Sequence, residues 1–365
     1  MTETSSSGRK LHLGILSAAG IAKKNVRGIL KNTNGIEVVA VAARSLDKAK
    51  AFIKETGIEG KAKAYGSYDE LLDDANIHAV YIPLPAGLRP QWVKKAAAKG
   101  KHVLGEKPVA LTNKETEELI SACREAGVQY MDGTMWLHNP RAHYMKEIIS
   151  NKKLFGEPKS VTTCFYMAAD EDFKKNDVRA KKDLDGLGCL GDIGWYCLTV
   201  TLFAFNYDAP SQVQAHIGAK FNDEGVPMHC GATLTWADGR QAMFDCGFDQ
   251  NFTQLANVGG SESFIQWTDF CIPTKEDSCE FSVVGPGGLS DLDTRINQDN
   301  EVKKVYLDRP QETRMWEDFA ECIYAIQDGK KPDDHWPSIS ELTSKCVLAV
   351  AESIENGCKV VEFKA

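Results

Sequence analysis

The chain has 365 residues, of which 43% are hydrophobic and 26% are charged, an ordinary globular composition with enough length for two domains. Its 43 basic and 51 acidic residues give a formal charge of -8 at pH 7, which argues against nucleic acid or an anionic membrane as the main partner. No apolar run approaches the roughly 18 residues of a membrane span. Residues 1–10 are polar and serine-rich, which predicts a disordered tail rather than a secretory signal.

Eleven cysteines are scattered along the chain. None lies in a C-x-x-C pair or in a Cys/His cluster with the spacing of a zinc site. The pattern therefore predicts reduced, buried thiols, no metal site, and a reducing compartment, the cytoplasm.

Residues 11–135 alternate apolar strands with amphipathic helices. Strands are predicted, in chain order, at 11–16, 36–43, 62–65, 78–82, 102–104 and 128–131. Helices are predicted at 21–30, from 45, from 67, at 91–99 and at 112–126. The third and fifth helices begin with the capping boxes 67–70 and 112–115. Six strands alternating with helices predict an α/β domain with a doubly wound parallel sheet, the Rossmann arrangement.

The pattern changes after residue 135. Strands are predicted at 160–167, 212–221, 232–236, 241–248, 264–270, 281–284 and 304–307, followed by helices at 312–327 and 338–356. We therefore expect a second, α+β domain over 136–365, built on a large and mostly antiparallel sheet. The glycine- and aspartate-rich loop at 285–300 is expected to be exposed.

A large sheet needs both of its faces covered. One face can pack on helices of its own chain, and the other can pair with a second subunit through Trp236, Phe244 and Phe248. The alternative is a monomer in which these aromatic residues point inward.

The turn after the first strand of an open α/β sheet usually holds a pyrophosphate. Compared with the G-x-G-x-x-G/A fingerprint, Ser17 and Ala19 replace the first two glycines, and Ala22 matches the last position. Small residues still let backbone N–H groups approach a phosphate, so the segment predicts either a dinucleotide site or an ordinary tight turn. The candidate cofactor residues here are Ser17, Ala18, Ala19, Gly20, Ile21 and Ala22.

The second predicted strand ends in Ala43-Arg44-Ser45, with Lys48 one helical turn later. A chain that binds NAD usually has Asp or Glu here to hold the ribose 2′-hydroxyl. Arg44 can instead make forked hydrogen bonds to a 2′-phosphate, and Ser45 adds a hydroxyl at a helix start. The segment therefore predicts NADP; the alternative is that Arg44 and Lys48 are solvated surface charges.

The most specific stretch is GKHVLGEKP at 100–108. Lys107 follows the carboxyl end of a parallel strand, the edge at which such sheets bind ligands, and Glu106 and Pro108 flank it. This stretch, with Pro83-Leu84-Pro85 before it, resembles the Gfo/Idh/MocA oxidoreductases over nearly the whole chain.

Within that family the chain is most similar to the dimeric dihydrodiol dehydrogenase and D-xylose dehydrogenase branch. It is closest to plant-type members that share its MDGTMW-HNPR and GDxGWY segments. The branch often has S-x-A at the first turn. The resemblance implies NADP as cofactor, a small-molecule substrate and a homodimer, and it implies that the domain over 136–365 binds substrate and mediates dimerisation. It also implies cofactor contacts from Pro83, Leu84, Pro85, Leu88, Glu106 and Lys107.

A second chemical segment runs from Asp185 to Tyr196. Its glycines let the loop pass close to a ligand before a helix begins, and Asp192 and Tyr196 share a helical face. A tyrosine in so apolar a helix would by itself more often be a core residue. The family pattern, D-x-G-x-H or D-x-G-x-Y, implies that Tyr196 transfers a proton, that Lys107 holds the substrate oxygen and favours the phenolate, and that Asp192 orients the pair.

Other residues are weaker candidates for substrate contact. His138 is equally consistent with a structural histidine, and the polar loop at 170–185 is expected to close over the ligand. Arg89 stands where many relatives carry a histidine near the nicotinamide, so that contact is in question. The candidates are Trp136, His138, Asn139, Asn176 and Arg179.

Together these features predict an NADP-dependent oxidoreductase that acts on a hydroxyl or carbonyl of a sugar, a cyclic polyol or a trans-dihydrodiol. Two alternatives stay open: a non-catalytic NADP-binding regulator of the same fold, and a reductase of a larger conjugated substrate. Retention of Lys107, Asp192 and Tyr196 favours the enzyme.

Overall fold

A computed structural model describes residues 9–31, 35–289 and 296–363, which form two compact units. The first comprises the residues up to His138 together with Arg309–Glu341, and the second comprises Asn139–Asp308 and the residues from Leu342 onward. The sequence predicted one second domain over 136–365, whereas Arg309–Glu341 packs with the first unit. Most of the predicted tail, residues 1–8, and residues 290–295 of the predicted loop lie outside the described residues.

The first unit contains a parallel sheet that has six strands among the described residues. The strands are β1 (Leu11–Leu16), β2 (Ile36–Ala42), β3 (Lys63–Tyr65), β4 (Ala79–Ile82), β5 (His102–Gly105) and β6 (Tyr130–Asp132). The helices between them are α1 (Gly20–Leu30), α2 (Leu46–Glu55), α3 (Tyr68–Leu72), α4 (Arg89–Ala98) and α5 (Asn113–Glu125). The strand order β3-β2-β1-β4-β5-β6 confirms the predicted doubly wound sheet and places its reversal between β1 and β4.

Side-chain caps begin three of these helices where the sequence places them. Ser45 accepts a hydrogen bond from the Lys48 backbone N–H, and Ser67 accepts one from the Glu70 N–H. Thr112 likewise accepts one from the Glu115 N–H. Each cap satisfies an amide that the first helical turn leaves without a partner.

The second unit is built on a sheet with ten strands among the described residues, almost all antiparallel. The strands are β7 (Pro158–Ala168), β8 (Gln212–Ala215), β9 (Lys220–Phe221), β10 (Pro227–Thr235), β11 (Gln241–Gly247), β12 (Asp249–Gly260), β13 (Phe264–Trp267), β14 (Ser278–Leu289), β15 (Ile296–Tyr306) and β16 (Val361–Glu362). The helices are α6 (Pro140–Ser150), α7 (Glu171–Asn176), α8 (Lys182–Asp185) and α9 (Trp195–Ala204), the last preceded by a π-helical turn at Leu190–Gly194. The predicted mostly antiparallel domain is therefore confirmed.

Two long helices follow, α10 (Gln311–Gln327) and α11 (His335–Glu355). Helix α10 packs on the first unit, where the Trp316 indole N–H donates to Asn25 Oδ1 at 2.9 Å. The Thr313 hydroxyl donates to the Gly28 carbonyl at 2.8 Å. These buried bonds explain why a segment late in the chain belongs to the first unit.

The strand register shows which residues share a face of the ten-stranded sheet. Phe244, Thr163, Ala256 and Trp267 form one row across four strands, and all are buried. The adjacent row lies on the opposite face and is partly or fully exposed; it runs Met243, Thr162, Asn257, Gln266, Ser282 and Val302.

The aromatic residues expected on a partner-facing surface are buried instead. Trp236 is 5% exposed and packs edge-on against Phe205 at 4.6 Å between ring centroids. Phe244 and Phe248 are 2% and 0% exposed. The prediction that these three residues meet a second subunit is wrong, and the inward-facing alternative holds for them.

One helical stretch, Lys182–Ala204, has the length and mean hydropathy of a membrane span. Its most apolar window is 94% buried within the protein, as for a core helix. The expectation that no apolar run approaches the length of a membrane span is therefore wrong for this stretch.

Candidate active site

The first βα turn has a backbone conformation that usually requires glycine, although the residue that adopts it is Ser17. Ser17 has a φ of 138°, a region that favours glycine, and its N–H donates to the Ala42 carbonyl at 3.0 Å. Among the described side chains none caps α1, and its first turn holds no acidic residue. A helix start without a side-chain cap or an acidic residue, together with the helix dipole, favours an anion.

The carboxyl ends of β2 and β3 bring a further side chain to this turn. Tyr68, at the start of α3, lies near both Ser17 and Arg44. Burial raises the pKa of Tyr68, while Ser17 and Arg44 oppose that shift. Arg44 itself is exposed, as are Ser45 and Lys48.

Sequence reasoning missed Tyr68. The available signal was its position directly after the capping Ser67, just beyond the carboxyl end of β3, because the carboxyl ends of parallel strands lie at the same edge of the sheet.

A buried arginine joins the ends of β4 and β5. Arg89 is 1% exposed, and its guanidinium donates to the carbonyls of Leu84 at 2.5 Å, Val109 at 3.2 Å and Pro108. The Lys107–Pro108 peptide is cis. Arg89 therefore holds together the two loops that carry Pro83-Leu84-Pro85 and Lys107.

A chain of hydrogen bonds leads from the core to the carboxylate beside Lys107. Asn25 accepts from Trp316 and donates to the Tyr81 hydroxyl at 2.9 Å. Tyr81 in turn donates to Glu106 Oε1 at 2.5 Å. Burial raises the pKa of Glu106, and the Tyr81 bond and the Lys107 charge partly offset that rise. The buried polar residues Asn25, Tyr81 and Trp316 were not foreseen from sequence, although Asn25 interrupts an apolar helix face.

In the second unit, Asp192 lies in the π-helical turn and Tyr196 in the first turn of α9. Arg179 Nε is 3.0 Å from Asp192 Oδ2, and Arg179 Nη1 is 3.2 Å from Asp177 Oδ1. The Asp192 carboxylate, and secondarily Asp177, raises the pKa of Arg179. Tyr196 is 8% exposed, with its ring 6.2 Å from that of Phe165.

The glycine-rich approach to this turn has a steric reason. Gly188 has a φ of 51°, and a Cβ at this position would collide with the Pro227 carbonyl of β10. The segment can therefore lie against the strand only with glycine at 188.

The remaining substrate candidates are mostly engaged in structural contacts. The His138 imidazole stacks on Trp336 at 4.4 Å, and its Nδ1 is 2.5 Å from Asp318 Oδ2. Trp136 is buried, and Asn139 caps α6 by accepting from the Arg141 N–H. These contacts favour the structural alternative for His138.

Asn176 and Arg179 come from the polar loop expected to close over the ligand. Asn176 is exposed and donates to Asp172 within α7. Arg179 is the member of this loop that the structure brings to a predicted catalytic residue, Asp192.

Three of the eleven cysteines cluster, contrary to the expectation that they are unorganised. Cys189, Cys230 and Cys246 are buried, and their sulfur atoms lie within 4.8 Å of one another. The sequence alone does not show this cluster, because Cys189 precedes the π-helical turn while Cys230 lies in β10 and Cys246 in β11.

Comparison with known proteins places these observations in a family. Residues 11–134 match the profile described as "Oxidoreductase family, NAD-binding Rossmann fold", and residues 142–266 match "GFO/IDH/MocA C-terminal domain". The chain is 32% identical over 348 residues to D-xylose 1-dehydrogenase (NADP(+)) 2 of Haloferax volcanii, covering 95% of this chain and 98% of that one.

Two further proteins are similar over most of the chain. The trans-1,2-dihydrobenzene-1,2-diol dehydrogenase of Sus scrofa is 28% identical over 266 residues, covering 72% of this chain and 75% of the relative. The crystal structure of KijD10, a 3-ketoreductase from Actinomadura kijaniata in complex with NADP and TDP-benzene, is 25% identical with a TM-score of 0.76. That match covers 94% of this chain and 98% of KijD10.

Proposed function

Because the chain belongs to the Gfo/Idh/MocA oxidoreductase family, we propose that it transfers hydride between NADP and a hydroxyl or carbonyl of a sugar, a cyclic polyol or a trans-dihydrodiol. That it is an NADP-binding oxidoreductase follows from the family and from its relatives. The substrate class and the residue roles are the proposal. The substrate class is supported by the relatives, and the observation that carries the residue roles is the Arg179–Asp192 pair one helical turn before Tyr196, which supports an organised proton-transfer site.

The residues at the first βα turn fit NADP. The uncapped start of α1 suits the pyrophosphate, and the exposed Arg44, with Lys48 one helical turn later, suits the 2′-phosphate. Ser17 to Ala22, Pro83 to Pro85 and Leu88 complete the proposed contacts. When bound, the nicotinamide supplies or accepts the hydride.

Tyr196 is proposed to take the hydroxyl proton during oxidation and to return it during reduction. Its position at 8% exposure keeps the phenol largely out of bulk water, and Asp192 on the preceding turn shares its helical face. Arg179 supports this role because it holds the Asp192 carboxylate in one orientation.

Lys107 is proposed to bind the substrate oxygen as a hydrogen-bond donor. A nearby ammonium stabilises developing negative charge on that oxygen and favours the phenolate of the proton acceptor. The contacts of Glu106 and Arg89 support this role, because they hold the loop on which Lys107 lies.

The test is turnover of NADP⁺ and NADPH across aldoses, inositols, dihydrodiols, small dicarbonyls and larger conjugated carbonyls. Tyr196→Phe and Lys107→Met should each lower kcat by about 10²–10⁴-fold, the usual contribution of a proton-transfer group, while NADPH binding persists. Tyr144→Phe and Lys114→Met are matched controls at exposed positions. Near-normal turnover of either site variant would contradict the assignment.

The same assay addresses both alternatives. NADPH binding without turnover of any substrate would favour the regulator, and activity confined to the conjugated carbonyls would favour the reductase of a larger substrate.

A homodimer is proposed through the exposed row of the ten-stranded sheet. Met243 and Val302 on that row are 47% and 58% exposed, and Tyr306 on the same edge strand is 75% exposed. A sheet face of this kind suits a two-fold, self-complementary contact. Sedimentation should give a dimer at micromolar concentration, and Val302→Asp should shift it toward monomer; a monomeric wild type would contradict the proposal.

A cytoplasmic location also stays a proposal. It is supported by the use of NADP and by eleven cysteines that are all free.

A further inference from the structure

We infer that Cys189, Cys230 and Cys246 form a binding site for one soft monovalent cation, Cu(I), held by three sulfur atoms. This site is independent of the proposed hydride transfer. All three residues lie in the second unit, and each is at most 1% exposed.

The distances between the sulfur atoms suit a single ion. Cys189 Sγ and Cys230 Sγ are 3.9 Å apart, Cys230 and Cys246 are 3.8 Å apart, and Cys246 and Cys189 are 3.9 Å apart. The centre of such a triangle lies about 2.2 Å from each corner, close to the ~2.3 Å of a metal–thiolate bond to zinc. An ion of similar size fits in or near the plane of the three sulfur atoms without rearrangement of the chain.

Backbone constraints hold the three sulfur atoms in place. Cys230 and Cys246 are directly opposite each other in the antiparallel pair of β10 and β11. Cys189 precedes the π-helical turn, and Gly188 lets this segment approach the Pro227 carbonyl of β10. The site is therefore preorganised by elements that the fold already requires.

The donor set favours copper over zinc. Among the described residues the cluster offers three thiols and no fourth ligand. Structural zinc sites almost always have four ligands, whereas soft thiolate donors suit Cu(I), for which three sulfurs suffice.

An ion here would touch the turn that carries Asp192. A Cβ on Gly194 would lie 3.1 Å from Cys246 Sγ, so the π-helical turn packs directly on the cluster. Occupancy is therefore expected to raise the protection of this turn against amide hydrogen exchange.

The experiment uses the full chain, reduced and kept free of oxygen, and titrates it with Cu(I) from a chromophoric chelator. We expect uptake of one equivalent and an X-ray absorption spectrum with three sulfur neighbours at about 2.3 Å. Cys230→Ser and Cys246→Ser should each lower the affinity at least about 100-fold, beyond the 10–100-fold effect of losing a group that supports a metal ligand. Cys346→Ser and Cys123→Ser are controls, because both thiols are buried outside the cluster.

Several results would overturn the proposal. One is that the wild type takes up no copper, either in the titration or when isolated from copper-supplemented cells. Another is that the cluster variants and the control variants take up equal amounts of copper. A third is a disulfide between Cys230 and Cys246 in the isolated protein. Tighter binding of Zn(II) in a parallel titration would overturn the choice of ion. If the serine variants fail to fold by circular dichroism, the absorption spectrum of the wild type decides by its count of sulfur neighbours.

Discussion

Arg179 and Asp192 form an ion pair in which Nε lies 3.0 Å from Oδ2. Arg179 comes from a 3₁₀ turn at Val178–Ala180, and Asp192 comes from the π-helical turn before Tyr196. The side chains of Arg179 and Asp192 are 36% and 14% exposed, so the pair is only partly screened by solvent and its charges interact more strongly than those of a fully exposed pair. The polar loop thus reaches the proposed catalytic segment through one specific contact.

Loss of this pair should impair turnover more than substrate binding. We expect Arg179→Gln to lower kcat on the order of 10-fold with a smaller change in KM, because Asp192 loses its orientation while Tyr196 remains. Arg179→Lys should restore part of the rate. Asp177→Asn is the control, because Asp177 contacts the same guanidinium without lying on the Tyr196 helix. Equal losses for Arg179→Gln and Asp177→Asn would count against a specific role for Asp192.

Arg44 should decide between the two nicotinamide cofactors. Charge-assisted hydrogen bonds contribute about 1.5–3 kcal/mol, so Arg44→Ala should weaken NADPH binding on the order of 10–100-fold. NADH binding should hardly change, because NADH lacks the 2′-phosphate. Fluorescence titration of both cofactors measures the effect, with the exposed Lys50→Ala as control. Tighter binding of NADH than of NADPH by the wild type would refute the prediction.

Arg89 should be important for stability. Its guanidinium is the shared donor to carbonyls on two loops, and its removal leaves those buried oxygens without that partner. Arg89→Leu should cost about 3 kcal/mol and lower Tm on the order of 10 °C. Thermal unfolding against the control Lys94→Ala, whose side chain is 42% exposed, measures this, and an unchanged Tm would show that the loops are held by other contacts.

His102 should make the protein sensitive to acid. Burial, with a smaller effect of His78, lowers the pKa of His102 from 6.5 to about 4, and its Nδ1 accepts from the Gln129 N–H at 3.0 Å. Between about pH 6.5 and pH 4 the unfolded chain binds more protons than the folded one, so the free energy of unfolding falls as the pH falls. The loss from this residue approaches about 3 kcal/mol by pH 4.

Urea unfolding at neutral and acidic pH measures this dependence. His102→Gln should flatten it, whereas the exposed His143→Gln should leave it unchanged. A pH dependence that persists in full in His102→Gln would assign acid sensitivity to other groups.

Local patterns in the sequence were enough to predict the helix starts, the parallel sheet and the cofactor of the first unit. Capping residues at 45, 67 and 112 begin helices because their side chains satisfy amides three residues away. The strand alternation predicted the parallel sheet, and the residues that flank the strand ends predicted NADP. Such features depend on neighbours in the chain, so the chain order is enough to recognise them.

Contacts between distant residues were decided only by the tertiary structure. The carbonyl partners of Arg89, the buried position of His138 against Asp318 and the placement of Arg309–Glu341 depend on how separate elements pack. The roles of Lys107 and Tyr196 stay predictions, since they depend on a bound substrate.

Cys230, Cys246 and Phe244 in the second sheet show the physical reason. Strand register determines which face each side chain occupies, and a shift of one residue moves every side chain to the opposite face. The turn at Asp238-Gly239 predicts the pairing of β10 with β11, and the register of that pairing places Cys230 opposite Cys246 and turns Phe244 inward. The approach of Cys189 to Cys230 joins segments that are distant in the chain, so only the tertiary structure decides it.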